Sequence, residues 1–158
     1  LASNTLDLEL TIIGDGDQRQ ALEAQVDRLG LRDRITFHGF VPQHECPPLL
    51  RDSVAMVLPS LYECGGAVVL EAMAVGLPVL ATRWGGPADY LDDETGVLVN
   101  PVSRAQFVED IASGMIRLAT SPELRRRLAA AARARVKERY DWERKIDTII
   151  EIYREAQR

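Results

Sequence analysis

The feature that most constrains the fold is an alternation. Short apolar runs ending at glycine, proline or a polar residue are separated by stretches with helical periodicity. Leu8–Ile13, Ile35–Val41, Val54–Leu58, Val79–Ala81 and Val97–Val99 read as strands. Between them, Gln18–Leu29 carries Leu22, Val26 and Leu29 on one face and stops at Gly30, and a short helix is expected around Leu49. Ala67–Val75 reads as a helix ended by Gly76 and Pro78. Three helices close the chain. Ser103 with Gln106 forms a capping box, Ser121-Pro122 an N-cap followed by proline, and Asp141 caps the last. Parallel strands cannot be joined by a tight hairpin and need crossovers, so strands alternating with helices predict an α/β fold with a doubly wound parallel sheet. A chain of 158 residues fits one such domain.

In a parallel sheet the loops that follow each strand emerge on one edge, where open α/β sheets bind ligands. Gly14-Asp-Gly, His38-Gly-Phe, Tyr62-Glu-Cys-Gly-Gly and Trp84-Gly-Gly each follow a predicted strand. Glycines gathered there suggest backbone closely approaching a ligand; the plainer reading is that strand-to-helix turns are often glycine-rich. The third loop carries the most chemistry. Glu63 lies in the loop and Glu71 on the helix it opens, with Gly65 and Gly66 between them. The glycines leave bare N–H groups at the helix N-terminus, which attract an anion. A carboxylate accepts both hydroxyls of a vicinal diol. An anion cradle flanked by two carboxylates suits a ligand that is phosphate at its centre and hydroxyl-rich at both ends, and sugar nucleotides have that shape.

Charge and composition narrow the classes. The net charge of −5 is unevenly placed: up to Ile116 there are 7 Lys/Arg against 17 Asp/Glu, and from Arg117 onward 12 against 7. The candidate site therefore lies in the acidic part, with Arg19, Arg51 and Arg83 as its nearest candidate cations. The stretch Arg125 to Arg139 lies on a predicted helix with Leu124, Leu128, Ala131 and Val136 inward. It reads as a solvated face or, alternatively, as a peripheral contact with anionic lipid. Nucleic acid is not expected as a partner, because the chain is acidic and no aromatics interleave the arginines. Two cysteines, Cys46 and Cys64, give no disulfide framework and fit a reducing, cytoplasmic setting, Cys64 as an inert packing residue. His38 and His44 lack metal-ligand spacing, so no metal site is expected. Gly14-Asp-Gly-Asp-Gln-Arg begins like a dinucleotide fingerprint, but Arg19 stands where the third glycine belongs.

The motifs Ile12-Ile-Gly-Asp-Gly, Thr36-Phe-His-Gly-Phe-Val, Pro59-Ser-Leu-Tyr-Glu, Glu71-Ala-Met-Ala-Val-Gly-Leu-Pro-Val, Gly85-Gly-Pro-Ala-Asp and Gly96-Val-Leu-Val resemble, in order, the landmarks of the family 4 glycosyltransferases, retaining enzymes of the GT-B fold. The resemblance implies the C-terminal, donor-binding half of such an enzyme. It implies a nucleoside diphosphate sugar as donor, no cofactor and no divalent metal. By the same resemblance Glu63 lies at the reacting sugar and Glu71 takes the ribose hydroxyls. Backbone at Gly65, Gly66, Ala67 and Val68 would meet the phosphates or the sugar. The turn of Gly14 and Gly16 would lie near the diphosphate, Ser60 would belong to the donor motif, and Phe37, Gly39 and Val41 would line the base pocket, although Phe37 reads equally as core.

Two departures bear on specificity: Cys64-Gly65-Gly66 replaces the family's frequent Pro-Phe-Gly, and Asp89 stands where Glu is usual. The chain opens at Leu1-Ala-Ser-Asn without methionine, so a fragment is expected, and the resemblance implies that it lacks an N-terminal acceptor domain and the strand–loop–helix that supplies an Arg and a Lys for the diphosphate. In the resembled fold the C-terminal helix crosses back toward that other domain, and Trp142, Ile146, Ile149, Ile150 and Tyr153 form an apolar stripe on the last helix here. A nucleotide-sugar-binding module without transferase activity and an epimerase of the same fold are the alternatives.

Overall fold

The computed structural model describes residues 6–158, in two units, one lying within Leu1–Leu49 and the other being Leu50–Arg158. In the first, strand β1 (Leu10–Ile13) leads through Gly14 to helix α1 (Arg19–Arg28), and β2 (Ile35–Gly39) returns parallel to β1, Leu10 opposite Ile35 and Ile12 opposite Phe37. The register shifts between Ile12 and Ile13, where the chain turns into the glycine loop. Two strands cover little surface. Of the three residues expected on one face of α1, Val26 is buried whereas Leu22 and Leu29 are exposed within this chain.

Helix α2 (Cys46–Arg51) links the units. The second holds β3 (Met56–Leu58), α3 (Ala67–Val75), β4 (Val79–Thr82), α4 (Gly86–Tyr90), β5 (Val97–Val99), α5 (Arg104–Thr120), α6 (Pro122–Arg139) and α7 (Trp142–Ala156). The strands pair in parallel in the order β3–β4–β5. All four residues of β4 are buried because it is central and covered on both faces, which is why its sequence is apolar without alternation. Val79 and Ala81 pack with Val69, Ala72 and Met73 of α3 on one face, and Leu80 packs with Leu118 of α5 and Leu128 of α6 on the other. Helices on both faces of a parallel sheet are the expected double winding.

The α/β class, the parallel pairing and all five strands stand as read, with β1, β2 and β3 shorter by two residues each, β4 longer by Thr82 and β5 unchanged. Among the described residues the strands form a two-stranded and a three-stranded sheet. Helix α4 was not anticipated: Gly85-Gly86-Pro87 reads as a loop, yet Pro87 is suited to a first helical turn, and the turn is built on it. Ser103 caps α5 by accepting the Gln106 N–H at 3.2 Å, but the expected box is only half made, because the Gln106 side chain donates to Asp110 one turn on, at 2.8 Å. Ser121 and Asp141 cap α6 and α7 as predicted. Arg135 of α6 donates to Asp92 at 2.6 Å, to Thr95 Oγ1 at 3.1 Å and to the Tyr90 carbonyl at 3.3 Å, so part of the basic stretch faces inward. Arg125 likewise binds the carbonyls of Leu118 and Ala119.

Candidate functional site

In the second unit the chain leaves β3 through Pro59 and Ser60 and reaches Glu63 before α3 begins. Gly66 is the N-cap of α3, buried and left-handed at φ 59°. With no side chain of its own to close the helix, it donates its N–H to Glu63 Oε1 at 2.9 Å. Glu63, half-buried, therefore folds back over the helix N-terminus, which is electrostatically the favourable end for a carboxylate. The amides of Ala67 and Val68 belong to the first turn, where helix geometry supplies no intrahelical acceptor, and both residues are exposed. Glu71, half-buried, lies on the second turn of the same helix. One short helix thus brings together Glu63, Gly65, Gly66, Ala67, Val68 and Glu71, with Ser60 at the entrance of its loop.

The turn after β4 lies against this loop. The Gly86 N–H donates to the Cys64 carbonyl at 2.9 Å, and the Pro87 ring lies under Gly66. Cys64 does not pack as expected. Its thiol residue is exposed, and its contribution here is the main-chain carbonyl. Burial, with the charges of Tyr140, Asp89, Cys64 and Glu63, pushes the Tyr90 hydroxyl above its ordinary pKa. Arg83 follows β4 directly and reaches only to 4.0 Å from Asp93, both side chains being solvated. Arg51 lies elsewhere. It lines an open groove of about 310 Å³ with Arg125, Leu77 and Pro78, at the amino ends of β3 and β4, opposite to the end from which the Glu63 loop emerges.

In the first unit Gly14 and Gly39 meet: the Gly14 N–H donates to the Gly39 carbonyl at 2.7 Å. Gly14 has φ 124° and Gly39 φ 70°. Gly16 donates its N–H to Asp15 Oδ1 and accepts from the Arg19 N–H. Val41, half-buried, lies just past the end of β2. Arg19 is no free cation. It pairs with Glu23 at 2.9 Å and Asp15 at 3.0 Å, stands 5.8 Å over the Phe37 ring, and the Glu23 bond above all holds its pKa up. Among the described residues no group of three or more His, Cys, Asp or Glu gathers as a metal site, and no helix is long and apolar enough to cross a membrane.

The layout is that of one half of a GT-B protein: parallel strands between helices, with glycine turns leaving their carboxyl ends. Comparison with known proteins gives the family. The sequence matches the family described as Glycosyl transferases group 1 over residues 1–135, and the chain belongs to that family as a C-terminal domain. It is 35% identical over 149 residues to an alpha-D-kanosaminyltransferase of Streptomyces kanamyceticus, covering 94% of this chain and 38% of that protein. The structure superposes on the C-terminal domain of a glycosyl transferase group 1 family protein (LpcC) of Francisella tularensis with a TM-score of 0.70 at 33% identity, covering 80% of this chain and 64% of that one. Anabaena HepE, solved with UDP and glucose, shares the fold with a TM-score of 0.80 at 24% identity, over 98% of this chain and 43% of its own. The chain thus spans little more than a third of the length of the curated relative it matches.

Proposed function

We propose that this chain is the donor-binding half of a retaining glycosyltransferase that moves a sugar from a nucleoside diphosphate to an acceptor. The observation that carries the reading is the α3 N-terminus, where the first-turn amides of two exposed residues, Ala67 and Val68, lie in sequence between Glu63 in the loop and Glu71 on the helix. That HepE was solved with UDP supports a nucleotide as the class of ligand. In this reading Glu71 takes the ribose hydroxyls and the Gly65 to Val68 amides take phosphate or sugar oxygens. Glu63 lies by the reacting sugar. The bond from the anomeric carbon to the diphosphate oxygen breaks, and the acceptor oxygen takes its place on the same face.

Amides fixed before the reaction stabilise negative charge on the leaving phosphate, and Glu63 stabilises positive charge on the sugar; preorganised electrostatics of this kind is usually the largest catalytic contribution. The few free cations make further positive charge from an upstream Arg and Lys part of the proposal. So is an N-terminal domain that binds the acceptor and holds the group that takes its proton. No cofactor or metal is required, and the setting is cytoplasmic, with the outward arginines of α6 available to an anionic membrane face. The test is to follow the melting temperature of the full-length protein with UDP, GDP and ADP, then to determine the anomeric configuration of the product. Stabilisation by one nucleotide and retention are expected. No stabilisation by any of them, together with no donor turnover, overturns the reading.

A further inference from the structure

The Glu63 loop rests on the turn after β4, main chain against main chain. A Cβ built on Gly86 would stand 1.9 Å from the Gly65 carbonyl oxygen, and one built on Gly85 would stand 1.9 Å from the Glu63 carbonyl oxygen. Side-chain carbons essentially never approach within 3.0 Å, and a carbonyl oxygen cannot swing aside as a side-chain tip can. Gly85 has φ 55° and ψ −146°, bordering a region that only glycine populates. A side chain at either position must therefore displace one of the two loops.

The turn after β4 is the anchored partner. Helix α4, which it opens, is held by α6 and the residue beyond it: Arg135 donates to the Tyr90 carbonyl, the Tyr140 hydroxyl donates to the Asp89 carbonyl, and the Tyr90 and Tyr140 rings meet edge-on at 5.2 Å. The displacement is therefore expected in the Glu63 loop. Gly85, Cys64 and Gly65 are exposed on the outer side of this contact, whereas Gly86, Pro87 and Gly66 are buried on its inner side.

We infer that Gly85 and Gly86 are positioning residues for the transfer reaction. They let the β4–α4 turn seat the Glu63–Gly65 main chain so that the Glu63 carboxylate and the amides opening α3 hold one geometry. This rests on the reading of the site given under Proposed function. With no side chain of its own, each glycine acts through the carbonyl it leaves room for.

The experiment places Gly85→Ala and Gly86→Ala in the full-length protein and measures kcat, KM, UDP affinity and Tm. Gly76→Ala serves as control, because Gly76 also has a left-handed φ, 77°, but has nothing near its Cβ position and lies at the far end of α3. A displacement of about 1 Å at a reacting group costs on the order of 10²-fold in rate. The expected result is a kcat lowered 10- to 100-fold by the Gly85 and Gly86 variants, with UDP affinity changed much less, while Gly76→Ala lowers Tm and leaves kcat within twofold. If Gly85→Ala lowers Tm as the control does but keeps kcat, the inference is overturned. It is overturned as well if both variants fail to fold, since the glycines then serve folding. Wild-type protein that neither binds a nucleotide nor turns over donor would instead overturn the underlying reading.

Discussion

Glu63 and Glu71 are both carboxylates on one loop–helix unit, yet they are placed for different work. Glu63 is bound to the N-cap amide of α3 and moves with the loop, whereas Glu71 is carried by the rigid second turn of the helix. Interactions that strengthen in the transition state appear in kcat, and those equal in both states appear in KM. Under the proposed roles, Glu71→Gln should raise KM for the donor and the Kd for its nucleotide about 10-fold or more, the worth of one charge-assisted bond. Glu63→Gln should lower kcat more than it changes binding. Steady-state kinetics with the two effects reversed would require exchanging the roles. Glu63→Gln also removes an acceptor charge from the helix N-terminus, so a small loss of stability, up to about 1 kcal/mol, should accompany it.

At the scale of elements, α6 braces the loops between β4 and β5 through Arg135. Asp92 stays half exposed, so solvent screens the pair, and Arg135→Met should destabilise by roughly 1–2 kcal/mol, about 3–6 °C in Tm. The pH dependence has a definite sign. Arg135 above all, then Thr95 and the Glu94 amide, hold the Asp92 pKa below its ordinary 3.8. A carboxylate with a lowered folded pKa contributes stability above the unfolded value and loses it as pH falls through the folded one. The gap between wild type and Arg135→Met should therefore be full at neutral pH and close in acid below that range, as urea unfolding at several pH values will show.

Helix α7 poses a different question, because none of its residues is buried. Trp142 is 79% exposed and Tyr153 66%, with Ile146, Ile149 and Ile150 also exposed along the same stripe. A helix with such a face is stabilised by covering it. We propose that a domain preceding this one in a longer protein does so. Ile149→Asp should then destabilise the full-length protein by about 1.5–3 kcal/mol and this chain by little, and equal effects in both would refute the docking.

For the molecule as a whole, the limiting fact is the small share of the relatives' length that the chain spans. Arg19 is neutralised by Glu23 and Asp15, and Arg51 lines a groove at the other end of the strands, which leaves little positive charge for a diphosphate. The upstream Arg and Lys of the proposal, at about 1.5–3 kcal/mol for each charge-assisted contact, would together be worth at least 10²-fold in affinity. The purified 158-residue chain should bind a nucleoside diphosphate sugar at least that much more weakly than the full-length protein and transfer nothing. Calorimetry of both proteins measures the first claim, and turnover by the chain alone would sink the second.

Local chemistry made much of this legible in the sequence. The strand–helix alternation, the helix caps at Ser121 and Asp141 and the span of α3 follow from side-chain period and from residues whose backbone preferences act within a few positions. The same local rules marked Glu63, Gly65, Gly66 and Glu71 as one unit, because a loop and the helix it opens are neighbours in sequence. Where a residue's surroundings come from distant chain, those rules had no purchase. Gly85 and Gly86 looked like turn glycines, and only the packed structure puts the carbonyls of Glu63 and Gly65 where their Cβ atoms would be. Sequence marked Arg19 as a candidate cation for the site and Cys64 as a packing residue; three-dimensional neighbours made one an ion-paired strut and left the other in solvent. Periodicity fixes which face of a segment is apolar, but long-range contacts alone decide whether that face is covered, and so α7 carries its stripe in the open while every residue of β4 is sealed between two layers of helices.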